Sequence, residues 1–183
     1  QNLKRSKAKA GLMPLTEANL SGNASDLMRV SAAASGYAPA SALSVDLLVN
    51  GIQTYDALLA AFARATHHIH LEYYIFEPDK TGARIRDALI EQARRGIRVR
   101  LLLDRLGSKN ADEAFLRPLR EAGAEIEFFH PYFFKRLWRP EINLRSHRKI
   151  VVIDGCIGFT GGINITDDEN EAIRDDAYVD LHF

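Results

Sequence analysis

The chain has 183 residues, and its 24 Lys and Arg balance 24 Asp and Glu, so the formal charge is zero. A hydrophobic fraction of 46% and a charged fraction of 26% are those of a globular protein and exclude a disordered, fibrous or coiled-coil chain. No apolar run reaches the ~18–20 residues that span a bilayer, the single Cys156 excludes an internal disulfide, and the zero balance argues against a uniformly basic nucleic-acid binder.

Residues 1–44 are expected to form a basic, irregular N-terminal segment. Lys4, Arg5, Lys7 and Lys9 cluster without an acid, and residues 21–44 are rich in Ser, Ala and Gly, with room for a short helix around Leu27–Ala34. Residues 45–183 read as an α/β domain. Val45–Val49 is a short apolar strand. Tyr55, Leu58, Leu59 and Phe62 then recur on one face of a helix. Ile69–Phe76 is a β-branched and aromatic strand. Ile85, Leu89, Ile90 and Ala93 mark a second helix closed by Gly96, and Ile97–Leu103 a strand ending at Asp104. Asn110 with Glu113 resembles a capping box for a third helix, in which Pro118 should introduce a kink and which Gly123 closes. Glu125–Phe129 is a further strand. Strands alternating with amphipathic helices predict a mixed, mainly parallel sheet flanked by helices on both faces. Lys149–Ile153 and Cys156–Thr160 flank Asp154-Gly155, the signal of a tight hairpin. Ala177–Phe183 alternates like a strand, and a chain stopping inside a strand suggests a domain truncated before a second half.

The chemistry gathers at the hairpin. In a strand His147 and Lys149 point to one side, where a neutral imidazole can attack or move protons and an ammonium can bind an anion. The returning strand leads into Gly161-Gly162-Ile163-Asn164, where glycines allow close backbone approach and Asn164 can donate to an oxygen. Asp154 taken alone is most simply the turn residue. The set reads as phosphate chemistry, with Arg145 and Arg148 as further cations for the substrate.

The spacing His147-x-Lys149, four residues, Asp154, then Gly161-Gly162-x-Asn164 resembles the H-x-K-x-x-x-x-D signature of the phospholipase D superfamily. His67–Phe76, Arg94–Ser108 and Asn143–Asn164 are similar to the N-terminal half of bacterial cardiolipin synthases. The resemblance implies a phosphatidyl transferase that makes cardiolipin from two phosphatidylglycerol molecules, releasing glycerol. It also implies a peripheral position on the cytoplasmic membrane. His147 would be one of two histidines, one forming a phosphohistidine and the other protonating the leaving alcohol. Lys149 and Asn164 would bind the non-bridging oxygens, with no cofactor and no metal. The second histidine would come from a second motif-bearing half in the same chain or from a homodimer. The family's downstream acid falls in Arg174-Asp175-Asp176, and Asp176 is the candidate for fixing the catalytic imidazole, although Ile173 and Tyr178 depart from the family's Trp-Arg-Asp-Thr-His pattern. The same residues also read as a solvated acidic loop.

Alternatives from other classes are a phospholipase D-type phosphodiesterase, either a lipid hydrolase or a dimeric single-motif nuclease, and a silent half that only binds anionic lipid. His67, His68 and His70 lack an acid or Cys to complete a metal set. Phe128–Trp138 holds 6 of the 16 aromatics and suits either a membrane headgroup zone or a core beside the site. The neutral total is unevenly spread. Lys135–Lys149 carries six Lys and Arg against Glu141 alone, and Asp167–Asp180 carries seven acids against Arg174 alone. A local basic segment of this kind favours lipid phosphate over nucleic acid as the partner.

Overall fold

Five strands form the central sheet, in the order β4-β3-β2-β5-β6. They are β2 (His68–Tyr73), β3 (Arg98–Asp104), β4 (Glu125–Phe129), β5 (Lys149–Ile153) and β6 (Ile157–Thr160). A computed structural model describes these elements and, in all, residues 22–37, 42–129 and 146–183. The chain divides after Val45 into two units. In the first, α1 (Gly22–Ser35) exposes every face and carries an Arg29–Asp26 ion pair. The basic arm at Lys4–Lys9 lies outside the described residues.

In the second unit β2, β3 and β4 run parallel, and the β5–β6 hairpin adds two antiparallel pairings. The sheet is therefore mixed, as expected. Helix α3 (Lys80–Arg94) joins β2 to β3 and α4 (Glu113–Glu121) joins β3 to β4. Both crossovers move the same way along the sheet, so right-handed connection places both helices on one face. Helix α2 (Asn50–Arg64) packs beside α3, completing a single layer. The core lies between that layer and the strand residues Ile69, Leu71, Tyr73, Val99, Leu101, Leu103, Ile126, Val151, Ile153 and Phe159. The opposite face carries His68, His70, Glu72, Arg98 and Arg100, and no second helical layer covers it among the described residues.

Local chemistry explains most boundaries. Gly96 and Gly123 sit at positive φ just past α3 and α4. The cap of α4 differs from the sequence expectation. Asp112 accepts from the Phe115 amide at 2.8 Å, whereas Asn110 donates to Glu77 at 2.8 Å. The final strand is also shorter than expected. β7 (Leu181–His182) pairs with β1 (Leu48–Val49), while residues 177–180 remain irregular.

Candidate active site

The hairpin turn sets the geometry. Asp154 and Gly155 both have positive φ, as a type I′ turn demands, and the Cys156 amide closes it on the Ile153 carbonyl. Register then fixes two ends. Lys149 lies opposite Tyr73 at the carboxyl end of β2, whereas the Asp154 amide meets the His68 carbonyl at the opposite end. The three signature residues are thus split by the length of a five-residue strand, about 17 Å. His147 and Lys149 sit at the carboxyl ends of β2, β3 and β4, where open α/β sheets place their ligands.

His147 is exposed, and its ring stacks on Tyr74 with centroids 4.0 Å apart. Tyr74 is itself held in place. A Cβ on Gly107 would come within 2.2 Å of the Tyr74 carbonyl and 2.9 Å of its ring, and Ser108 Oγ donates to that carbonyl at 3.0 Å. Asp104 fastens this loop through the Leu106 and Gly107 amides and also accepts from the Ser146 amide at 3.4 Å. The Lys149 ammonium is buried, donates to the His147 carbonyl at 3.1 Å and lies 5.4 Å from the Tyr74 ring centroid. Burial lowers its pKa, opposed by the Glu169 and Asp180 carboxylates.

Asn164 is also buried. Its backbone amide and its Nδ2 donate to the two oxygens of Glu169 at 2.5 and 2.6 Å, and its Oδ1 accepts from the Ile75 amide at 3.3 Å. One Nδ2 hydrogen remains for a ligand. Glu169 was not expected at the site. It belongs to a single 3-10 turn (Asp167–Glu169), and burial raises its pKa against the pull of the Asn164 hydrogen bonds and the Lys149 charge. Five residues of sequence separation from Asn164 was its one signal.

The acidic candidate Asp176 is taken up by a local ion pair. Asp176 is exposed and accepts from Arg174 at 2.9 and 2.8 Å. Asp180 instead couples electrostatically to Lys149, Glu169 and His182. Tyr178-Val179-Asp180-Leu181-His182 preserves the Asp-x-His spacing of the family pattern, with Tyr178 in the Trp position, and that spacing is the signal that would have found it. The His147 imidazole has no hydrogen bond to a carboxylate among the described residues.

At Gly161 and Gly162 the close backbone approach is made by the chain itself. A Cβ on Gly161 would lie 2.4 Å from the Leu181 carbonyl, and one on Gly162 would lie 2.0 Å from the Asp180 carboxylate. The glycines admit the last strand, which brings Asp180 and His182 to the site. Arg148 alternates away from Lys149 and pairs with Glu72 at 3.6 Å, while Ser146 Oγ donates to the same Glu72 at 2.6 Å. Arg145 and residues 130–138 of the aromatic segment lie outside the described residues.

Asp154 fastens the fold. Its carboxylate accepts from the Thr66 amide (2.8 Å), the Thr66 hydroxyl (2.8 Å) and the His67 and His68 amides (both 2.9 Å). Partial burial alone would raise its pKa, but these hydrogen bonds outweigh it and hold the carboxyl well below its ordinary value of 3.8. A depressed pKa contributes stability that is present above the unfolded value and is lost as pH falls below it. Asp154→Ala is expected to cost about 2 kcal/mol, discounted for solvent access. The activity of the folded fraction should stay near wild type, and the acid limb of the stability profile below about pH 4 should flatten. Urea unfolding at pH 3 to 7 with a parallel assay reads all three.

Residues 58–179 match the family model described as cardiolipin synthase, PLD-like domain, where PLD is phospholipase D. The chain is 50% identical over 123 residues to cardiolipin synthase 1 of Bacillus cereus, covering 67% of this chain and 24% of that protein. It is 42% identical over 125 residues to the major cardiolipin synthase ClsA of Bacillus subtilis, covering 68% and 26%. The chain thus spans about a quarter of the length of these curated relatives. Its fold is shared with NucT from Helicobacter pylori (TM-score 0.53, 21% identity, 75% of this chain and 82% of that one). It is also shared with polyphosphate kinase from Porphyromonas gingivalis (TM-score 0.51, 19% identity, 75% and 22%). With the matched family model running through the whole of the hairpin and the Gly-Gly-x-Asn turn, the chain belongs to the phospholipase D-like domain family of the cardiolipin synthases.

Proposed function

We propose that this domain supplies half of a phosphatidyl-transfer site that makes cardiolipin from two phosphatidylglycerol molecules. The observation that carries the reading is an accessible imidazole, His147, stacked on Tyr74 beside a buried ammonium, Lys149, and a clamped amide, Asn164.

In this reading the phosphate of one phosphatidylglycerol lies on Lys149 and on the free Nδ2 hydrogen of Asn164. Both offset charge on the non-bridging oxygens as the transition state forms. One imidazole of a pair attacks phosphorus, a P–N bond forms and the P–O bond to glycerol breaks. The other imidazole gives its proton to the departing glycerol oxygen. The hydroxyl of a second phosphatidylglycerol then attacks phosphorus, returning its proton to that imidazole and releasing the first. His147 is one member of the pair. The partner imidazole comes from a second H-x-K half, either in the same polypeptide or in a second copy. Asp180 replaces Asp176 as the acid of the site and acts through Lys149.

No helix among the described residues is long and apolar enough to cross a membrane. Membrane approach in this reading is peripheral, and the aromatic and basic composition of residues 128–138 suits lipid headgroups. Incubating the full-length protein with vesicles of labelled phosphatidylglycerol tests the function. Cardiolipin with stoichiometric glycerol is the expected result, whereas phosphatidic acid without cardiolipin would establish hydrolysis instead.

A further inference from the structure

Behind Lys149 lies a buried polar group that the transfer chemistry above leaves unused. His182 is fully buried, and neither ring nitrogen has a hydrogen-bond partner among the described residues. The ring packs against the catalytic hairpin, since a Cβ on Gly161 would fall 2.8 Å from His182 Nδ1. The Tyr73 hydroxyl, also buried, is likewise unpartnered. A buried imidazole with two open nitrogens is costly as pure packing, because each unmet polar atom forfeits its bond to water.

We propose that His182 is a positioning residue that takes up a proton from solvent when a phosphodiester anion binds at His147, Lys149 and Asn164. The inference rests on the reading of that site as a phosphate site. Charge balance motivates it. Lys149 brings one positive charge to the cluster, Glu169 and Asp180 bring two negative ones, and an arriving phosphodiester would bring a third. Lys149 and Glu169 are buried and Asp180 is exposed beside them, so the surplus negative charge next to the buried pair favours a proton entering with the anion.

Among the buried groups described around Lys149, His182 has both ring nitrogens open. Both oxygens of Glu169 already accept from Asn164, whereas neither ring nitrogen of His182 has a partner among the described residues. Asp180 accepts from the Leu181 amide at 2.7 Å and lies against Gly162. On the other elements packed against β7, α2 carries Tyr55, whose hydroxyl donates to the Asn164 carbonyl, and Asp56, which pairs with Arg84, while β1 offers Leu48 and Val49. In the free protein burial pushes the His182 pKa down to about 4, opposed by Asp180 and reinforced by Lys149. An anion that neutralises Lys149 removes that last contribution and attracts the proton directly. The imidazolium then shares Asp180 with Lys149 and leaves the ammonium turned toward the phosphate.

The test uses dimethyl phosphate, a diester that keeps one charge across the working range, and imidazole nitrogen resonances assigned with the aid of His182→Gln. Titrating the full chain at pH 6 should perturb His147 and convert His182 from neutral to imidazolium, which from a midpoint of about 4 requires a rise of about three units. Coupling to one proton makes affinity change up to tenfold per pH unit, so wild type should bind more tightly as pH falls from 7 to 5. His182→Gln should show a markedly shallower slope. Binding with His182 still neutral, or an unchanged slope in a folded His182→Gln, would overturn the proposal. Absence of any perturbation at His147 would overturn the phosphate site itself.

Discussion

His147→Ala is expected to abolish phosphatidyl transfer, lowering kcat by about 10^4-fold or more, while barely changing the fold. The two halves of this expectation have separate causes. The imidazole is one of a pair that must form or discharge a covalent bond to phosphorus, and removing one member of such a unit typically costs nearly as much as removing all of it. Structurally the ring has one described contact, the stack on Tyr74, and is otherwise exposed. Losing an exposed aromatic pair costs about 0.5–1.5 kcal/mol, a shift of only a few degrees in Tm for a chain of this size. Calorimetry beside the phosphatidylglycerol assay separates the two. A folded His147→Ala protein with full activity would remove His147 from the mechanism. His147→Asn, which keeps a planar polar group but cannot form the covalent bond, should be as inactive as the alanine variant.

What was legible in the sequence and what was not follows from the range of each interaction. The hairpin, the strands before it and the facing of His147 and Lys149 are local consequences of alternation and of Asp154-Gly155, and periodicity reads them directly. The α4 cap was misplaced by two residues because Asp112 and Asn110 are both good caps, and the contact of Asn110 with Glu77, which decides between them, comes from a distant part of the chain. The acidic segment was least legible. Asp167 accepts from the Thr81 amide at the start of α3, the buried Glu169 clamps Asn164 and the exposed Asp180 couples electrostatically to Lys149, whereas the likewise exposed Asp168 and Asp176 pair with Arg174. Composition gives these acids the same weight, and only the crossing of the last strand over Gly161 and Gly162 tells them apart. The zero net charge thus holds an ionic cluster at the site in which Lys149 and Glu169 are buried and Asp180 is exposed.

Glu169→Gln should be the most damaging conservative change in that cluster. Asn164 aims two donors at the two oxygens of Glu169, so a side-chain amide must place an NH2 against one of them. A buried donor left without an acceptor costs about 1–3 kcal/mol, and an Asn164 that swings away no longer presents its free hydrogen to the phosphate. Loss of one preorganised donor to a developing oxyanion lowers kcat by about 10^2–10^3-fold, and that is the expected loss. Glu169→Asp, which keeps the charge but shortens the reach, should fall between the two. The stability deficit carries a definite pH sign. Burial raises the Glu169 pKa above its ordinary 4.5, ahead of the opposing Asn164 bonds. Wild type therefore gives up stability as pH rises from about 4.5 through that raised value, because the folded state must then ionise a buried acid. Glutamine does not titrate, so the gap between wild type and Glu169→Gln should be widest at acid pH and narrow toward neutrality. Urea midpoints from pH 4 to 8 measure it. A gap that widens with pH would show that the Glu169 carboxylate stabilises the fold as an ion, and a variant with unchanged kcat would show that the clamp on Asn164 does not serve the phosphate.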